Sequence, residues 1–257
     1  MSLTTAVLHF AAPLPDLEGY QRYLFLGPHP DDIEIGAGAT AAKLADAGKD
    51  VCFLICTDGR YGLSNAPKDT TPEELIPIRR EEARRSAALL GVKDVCFLDF
   101  SDGGLYEPKD LLRAVAHIVG AFQPDVILAP DPDVSSECHI DHRCVGEAAK
   151  TLACFTSHAE LIQQYGGQAA KLKALAFFMT AKPNRYVKTK GYLQRQLDSI
   201  FQCHTSQFPP DCDDAKSIRL YLKLRSADHG LRCLSPAAEG FRVLGKTQMH
   251  CLPEAGK

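Results

Sequence analysis

The sequence lacks the features that mark nucleic-acid-binding and membrane-spanning proteins. Its 257 residues carry 29 Lys and Arg against 32 Asp and Glu, and the basic residues are scattered, so no positively charged surface for nucleic acid or anionic membranes is indicated. No apolar run approaches the ~18 residues that a membrane span needs. The N-terminal residues show no basic region followed by an apolar one, which predicts a cytoplasmic protein. We expect a small-molecule substrate.

Cysteine pairs of the Cys-x-x-Cys type are also absent, although the chain has ten cysteines. This absence argues against a closed structural zinc site. Several cysteines lie inside apolar runs, such as Cys52 and Cys56 in VCFLIC and Cys96 in VCFLDF. We therefore expect buried, reduced thiols rather than disulfides.

Short apolar runs alternate with segments of helical periodicity in the first part of the chain. The apolar runs are 23–27, 51–56, 95–100 and 125–130, and the helical segments that follow them are 35–48, 72–90, 109–122 and 142–155. Apolar runs without polar alternation are typical of strands buried on both faces. The alternation predicts an α/β, Rossmann-like fold with a mostly parallel sheet and helices on both faces.

After residue 172 the alternation changes. Predicted strands lie at 174–180 and 238–244, and predicted helices at 191–203 and 213–227. No repeat, low-complexity tract or change of composition marks a boundary. We predict one domain over residues 1–257, with a core at about 20–160 and a C-terminal elaboration at about 172–257.

Two clusters of His and Asp follow the first and fourth predicted strands. The first reads Gly-Pro-His-Pro-Asp-Asp-Ile-Glu over 27–34, and the second Cys-His-Ile-Asp-His-Arg over 138–143. The carboxyl ends of parallel strands meet at one edge of a sheet, so the clusters can converge there. The first cluster alone is equally compatible with a turn held by Asx-type hydrogen bonds.

Together the clusters offer enough donors for three metal ligands and an open fourth position, which is the arrangement of catalytic zinc. The donors are His29, Asp31, Asp32, Glu34, His139, Asp141 and His142. We predict a hydrolytic site with one metal ion.

Both motifs make the chain resemble the PIG-L/LmbE-like family of zinc-dependent N-acetylglucosaminyl deacetylases, which carry His-Pro-Asp-Asp after the first strand and His-x-Asp-His after a later one. The resemblance spans about residues 23–250. It includes IRREEARRSAALLGV (78–92), DFSDGGL (99–105), AKPNRYV (181–187) and AEGFRVL (238–244). The HPDD-x-E variant is similar to bacillithiol-pathway-type members. Ile140 replaces the proline common in the second motif, which we expect to alter loop stiffness but not the ligands.

The resemblance implies a hydrolase that removes an N-acetyl group from an N-acetylglucosamine-type amino-sugar. It implies His29, Asp32 and His142 as ligands of one Zn²⁺ per chain, a donor set that also suits Fe²⁺. It further implies Asp31 as the general base and His139 as the electrophilic partner. A homo-oligomer is expected as well.

Neighbouring residues receive supporting roles. We expect Asp141 to pair with His139 and keep it protonated. Glu34 either orients a metal-bound histidine or caps the following helix. We expect Cys138 to pack, although a thiol there could also bind metal or become oxidised.

For the substrate, the resemblance points to Arg79 and Asp102, because guanidinium and carboxylate groups suit vicinal hydroxyls. Arg185 is expected to contact substrate or acetate.

Two other functions are weighed against this prediction. A Rossmann-like nucleotide-binding protein would use Gly59 for close approach of the backbone to its ligand. However, the glycines at 36–40 do not complete a G-x-G-x-x-G motif, and the acids of the first motif would repel a pyrophosphate. A non-catalytic sugar or metal binder would not need both a base and an electrophile.

Overall fold

The computed structural model describes residue 7, residues 11–210 and residues 212–250, so part of the N-terminal segment considered above lies outside the described residues. The strands are β1 (Arg22–Gly27), β2 (Asp50–Thr57), β3 (Asp94–Phe100), β4 (Val126–Pro130), β5 (Ala174–Phe178), β6 (Arg185–Lys188) and β7 (Ala238–Gly245). The helices are α1 (Asp32–Asp46), α2 (Pro72–Leu90), α3 (Pro108–Phe122), α4 (Ile140–Phe155), α5 (Ala159–Gln164), α6 (Leu193–Phe201) and α7 (Asp213–Arg232).

The strands form one sheet in the order β3-β2-β1-β4-β5-β7-β6. Strands β1 to β5 pair in parallel, and β7 is antiparallel to both β5 and β6. The predicted α/β fold with a mostly parallel sheet is therefore confirmed. The C-terminal strands extend the same sheet, while the single domain over the whole chain stays a prediction.

Both faces of the sheet are covered, as the unbroken apolar runs predict. Tyr23 and Phe25 of β1 pack into a cluster with α1 and the end of α2, whereas Leu24 and Leu26 pack on the other face with α3 and α4. All four side chains are almost completely buried. Helices on both faces hold β1 and β4 at the centre of the sheet, and the loops after these two strands carry the predicted site.

Local signals set several helix ends. Thr71 and Glu74 form a reciprocal capping box at the start of α2, with Pro72 in the first turn. Gly91 ends α2 in the left-handed conformation, at φ 83°. Helix α1 begins at Asp32, three residues before the predicted start. The sequence patterns did not predict α5 and β6, because such short elements give no clear periodicity.

Helix α1 is broken at Ala37, where φ is −153° and ψ is 19°. The backbone N–H groups of Ala39 and Thr40 donate to the Glu239 carboxylate of β7 at 3.1 and 2.7 Å. Glu239 is buried and acts as a cap for the second half of α1, supplied by a strand 200 residues away.

Replacing Glu239 with Ala should lower the free energy of unfolding by about 2–4 kcal/mol, because two buried N–H groups lose their acceptor. Glu239→Gln should cost less, since an amide oxygen still accepts one of these bonds. Urea denaturation checks both values, with Glu147→Ala on exposed α4 surface as the control. Losses below about 0.5 kcal/mol for both Glu239 variants would contradict the capping role.

Candidate active site

The loops after β1 and β4 meet because these strands are neighbours in the sheet. The predicted ligands His29, Asp32 and His142 come together there. Asp32 Oδ2 lies 2.9 Å from His29 Nδ1 and 3.3 Å from His142 Nε2. Asp32 Oδ2 also accepts the backbone N–H of His29 at 2.8 Å, which closes the first loop. These three residues form a group that could hold a metal ion.

The spacing of these donors is suited to holding a single metal ion. Ligands at ~2.0–2.1 Å from zinc stand roughly 3.3 Å apart in a tetrahedron, and the two separations at Asp32 are 2.9 and 3.3 Å. Two imidazoles and one carboxylate are a donor set of catalytic rather than structural zinc sites.

Asp141 contacts the ring nitrogen of His29 that does not face Asp32. Its Oδ2 lies 3.0 Å from His29 Nε2, the nitrogen opposite the one that faces Asp32. Asp141 is completely buried and accepts three further hydrogen bonds, from the N–H groups of Gly103 and Gly104 at 2.7 and 2.9 Å and the Tyr106 hydroxyl at 2.9 Å. The two glycines have φ of 79° and 72°, a left-handed turn that points successive N–H groups at one carboxylate.

Glu137 contacts His142 in the same manner. Its Oε2 lies 3.1 Å from His142 Nδ1, and its Oε1 accepts the His139 N–H at 2.8 Å. Each imidazole of the ligand group therefore has a carboxylate on its second nitrogen, as is usual for histidines that bind metals.

The carboxylates of the group favour positive charge on both imidazoles. Burial would lower the pKa of His29, but the charge of Asp32 and the hydrogen bond with Asp141 raise it to about 10. Burial likewise opposes the charge of His142, and Asp32 raises its pKa to about 9. Burial would raise the pKa of Asp32, yet the two imidazoles hold it well below its usual range. A metal ion at these donors would displace protons.

Asp31 stands at the N-terminus of α1 beside the ligand group and is held by Arg79. Arg79 Nη2 donates to Asp31 Oδ2 at 3.0 Å and to the Pro30 carbonyl at 3.3 Å, and Nη1 donates to the Gly59 carbonyl at 3.0 Å. Burial raises the pKa of Asp31 against the opposing charge of Arg79. Gly59, at φ 68°, lets the backbone approach this guanidinium rather than a ligand.

These contacts make Arg79 a positioning residue for Asp31. The side chain is only 4 % exposed, and its Nη1 and Nη2 donate within the protein. The predicted contact of Arg79 with the sugar stays a prediction.

His139 is half exposed and does not have the predicted relation to Asp141. Its Nδ1 accepts the Asp141 N–H at 3.3 Å and lies 3.7 Å from the Asp141 carboxylate, which is too far for a hydrogen bond. Burial and the neighbouring charges of His29 and His142 lower the pKa of His139. The expected hydrogen bond between these two side chains is therefore not formed, and the protonation of His139 by Asp141 stays a prediction. With Nδ1 as the acceptor of the Asp141 N–H, Nε2 is the nitrogen of His139 left to donate.

Asp102 and Arg185 are the two remaining residues that were predicted to contact the substrate. Asp102 is buried and its two oxygens accept the Tyr61 N–H at 3.2 and 3.3 Å, so it ties two loops of the active edge together. Its contact with substrate stays a prediction. Arg185 donates to the carbonyls of Leu14 and Pro15 at 2.9 and 3.3 Å, and its contact with substrate or acetate also stays a prediction.

Glu34 lies in the first turn of α1, where its charge favours the helix, and its side-chain partners are not the proposed metal ligands. Its Oε1 accepts from the Ser86 hydroxyl at 2.5 Å and lies 3.2 Å from His204 Nε2. Glu34 and His204 are both buried and join α1 to the segment after α6. Cys138 is exposed, so the expectation that it packs is wrong.

The alternative functions gain no support from this geometry. Asp31 and Asp32 occupy the N-terminus of α1, where dinucleotide-binding proteins place a pyrophosphate.

Within the described part of the chain, the helices are too short or too polar to span a bilayer.

Comparison with known proteins places this chain in a family. The model of the PIG-L family, described as GlcNAc-PI de-N-acetylase, matches residues 24–153. The chain is 32 % identical to a diacetylchitobiose deacetylase from Thermococcus kodakarensis, over 91 % of this chain and 87 % of that protein. It is 25 % identical to a probable N-acetyl-α-D-glucosaminyl L-malate deacetylase 2 from Bacillus anthracis, over 78 % of this chain and 87 % of that protein.

Solved structures agree with these matches. An N,N'-diacetylchitobiose deacetylase from Pyrococcus horikoshii, complexed with its inhibitor MPG, superposes with a TM-score of 0.87 at 29 % identity, over 98 % of this chain and 97 % of that one. A 4-carboxy-2-hydroxymuconate hydratase from Pseudomonas putida KT2440 shares the fold at 19 % identity and a TM-score of 0.71, over 87 % of this chain and 96 % of that one. Because proteins named for different reactions share this fold, the fold alone does not decide the chemistry. The family match and the relative that is 32 % identical over 91 % of the chain show that the chain belongs to the PIG-L family.

Proposed function

We propose that this protein is a metal-dependent hydrolase that removes the N-acetyl group from an N-acetylglucosamine-type sugar or glycoconjugate. The observation that carries the proposal is the group His29, Asp32 and His142, whose donor atoms meet at 2.9 and 3.3 Å with Asp31 beside them. We propose these three residues as the ligands of one Zn²⁺.

A cation at these donors would supply Lewis-acid polarisation of an amide carbonyl and a lowered pKa for water. Asp31 would take the proton from the attacking water and deliver it to the leaving amine. Arg79 holds the carboxylate of Asp31 in place through the 3.0 Å contact at Oδ2. His139 would donate a hydrogen bond from Nε2–H to the oxygen on which negative charge develops.

Support for an amino-sugar substrate comes from relatives that match most of the chain. Their names specify N-acetylated glucosamine compounds: diacetylchitobiose in one and an N-acetyl-glucosaminyl malate in another. We propose a short N-acetylglucosamine oligosaccharide or glycoside as the substrate here, with Asp102 as a candidate contact for its hydroxyls. Self-association into a homo-oligomer stays a prediction.

Primary amine release from N-acetylglucosamine and N,N'-diacetylchitobiose tests this proposal. We expect release that falls at least about 10²-fold after a chelator removes the metal and returns when Zn²⁺ is added back. Metal content measured on the same samples should fall and rise in parallel. Release that is unaffected by complete metal removal would contradict the proposal.

A further inference from the structure

The loop between β4 and α4 contains a carboxylate that contacts both histidines of the second motif. Glu137 Oε1 accepts the backbone N–H of His139 at 2.8 Å, and Glu137 Oε2 lies 3.1 Å from His142 Nδ1. The Glu137 side chain is 23 % exposed and that of His142 is 13 % exposed. Both oxygens of Glu137 are thus engaged within the protein.

This contact decides which nitrogen of His142 is free. An ionised carboxylate only accepts hydrogen bonds, so Nδ1 of His142 must carry a proton. Nε2 then remains for a metal, and this is the atom that lies 3.3 Å from Asp32 Oδ2. At His29 the same arrangement occurs with the nitrogens exchanged, since Asp141 contacts Nε2 while Nδ1 faces Asp32.

The loop that presents Glu137 is held independently of His142. Asp131 is buried at its start and accepts from Thr180 Oγ1 at 2.6 Å and from Arg242 Nε at 2.8 Å. Arg242, on β7, also donates to Asp133 at 2.8 Å. The Glu137 N–H donates to the Val134 carbonyl at 3.0 Å, which closes a turn just before the second motif.

We propose that Glu137 is a positioning residue, which fixes the tautomer and orientation of His142 and thereby tightens metal binding at the proposed site. The inference rests on the proposed function, because it presupposes that His142 is a ligand. A hydrogen bond from Nδ1–H to a carboxylate makes the other imidazole nitrogen a stronger donor, and loss of such partners commonly weakens metal binding 10–100-fold. Asp141, the carboxylate that contacts His29, is fully buried and accepts hydrogen bonds from three other donors. Glu137, the carboxylate that contacts His142, lies on a surface loop.

The test is the metal dissociation constant of Glu137→Gln, measured by competition with a chromophoric chelator for Zn²⁺. A Gln side chain keeps the shape and has one oxygen to accept the His139 N–H, but it lacks the charge that supports His142. We expect binding about 10–100-fold weaker than in the wild type. Asp133→Asn is the matched control, because this carboxylate lies in the same loop and contacts Arg242 and Lys150. Circular dichroism melting of the metal-free proteins checks that all variants fold.

Weaker Zn²⁺ binding in Glu137→Gln with wild-type binding in Asp133→Asn would support the inference. Equal weakening in both variants would overturn it, because general order of the loop would then explain the effect. Wild-type affinity in Glu137→Gln would also overturn it, while leaving the proposed function intact. Absence of Zn²⁺ binding by the wild type would overturn the proposed function together with the inference.

Discussion

Replacing Asp31 with Asn should lower kcat for amine release about 10³-fold while leaving about one metal ion per chain. Asp31 Oδ2 is held by Arg79 at 3.0 Å, and Asp31 is not in the group of residues able to hold the metal. An Asn side chain keeps this shape and can still accept from Arg79, but it cannot take a proton from water. The loss should therefore fall on catalysis rather than on metal binding.

Steady-state kinetics and metal analysis on the same preparation measure both effects. Asp110→Asn is the control, because Asp110 lies on the exposed surface of α3 and pairs with Arg113 of the same helix at 3.2 Å. Turnover of Asp31→Asn close to that of the wild type would mean that another group is the base. Loss of metal from this variant would mean that Asp31 acts in binding the ion.

Replacing Asp32 with Ala should abolish stable metal binding and reduce amine release by at least about 10³-fold. Asp32 contributes the single carboxylate of the proposed ligand group, and its Oδ2 lies within 3.3 Å of both imidazoles. Without it, two imidazoles remain, which is one protein ligand fewer than catalytic zinc sites use.

Metal content after dialysis and the chelator-competition constant check this result. Because Asp32 Oδ2 also accepts the His29 N–H at 2.8 Å, the unfolding midpoint of the metal-free variant must be measured beside that of the wild type. Asp31→Asn is the paired comparison, since it changes the adjacent carboxylate and should retain metal. An unchanged metal stoichiometry in Asp32→Ala would remove Asp32 from the ligand set.

The opposite expectations for adjacent residues follow from the bend between β1 and α1. Asp31 occupies the N-terminal position of the helix and its carboxylate contacts Arg79 of α2, while Asp32 begins the helix and its carboxylate contacts His29. One side chain is thus directed toward a guanidinium and the other toward an imidazole. The pair of variants tests this division of roles within one loop.

Several residues of the site were not predicted from the sequence. Tyr106 contacts Asp141, and Glu137 contacts His142. Arg242 anchors the loop that carries Glu137. Glu137 ends the acidic stretch just before the second motif, and this proximity was the one signal available in the sequence. Nothing local marks Arg242, because its partner Asp131 is 111 residues away.

The sequence by itself determined the alternation of the first four strands and helices, the mostly parallel sheet and the meeting of the two His/Asp motifs, whereas the choice of three donors among them came from the family resemblance. Unbroken apolar runs need burial on both faces, and parallel strands place the loops after β1 and β4 at one edge whatever the details of packing. The tertiary structure alone decided the partners of the remaining charged groups. Arg79 pairs with Asp31, which is 48 residues away in the sequence, and Glu34 contacts His204, which is 170 residues away. A long polar side chain that becomes buried must find a partner among the groups that packing brings near it, and such neighbours leave no periodic signal in the sequence.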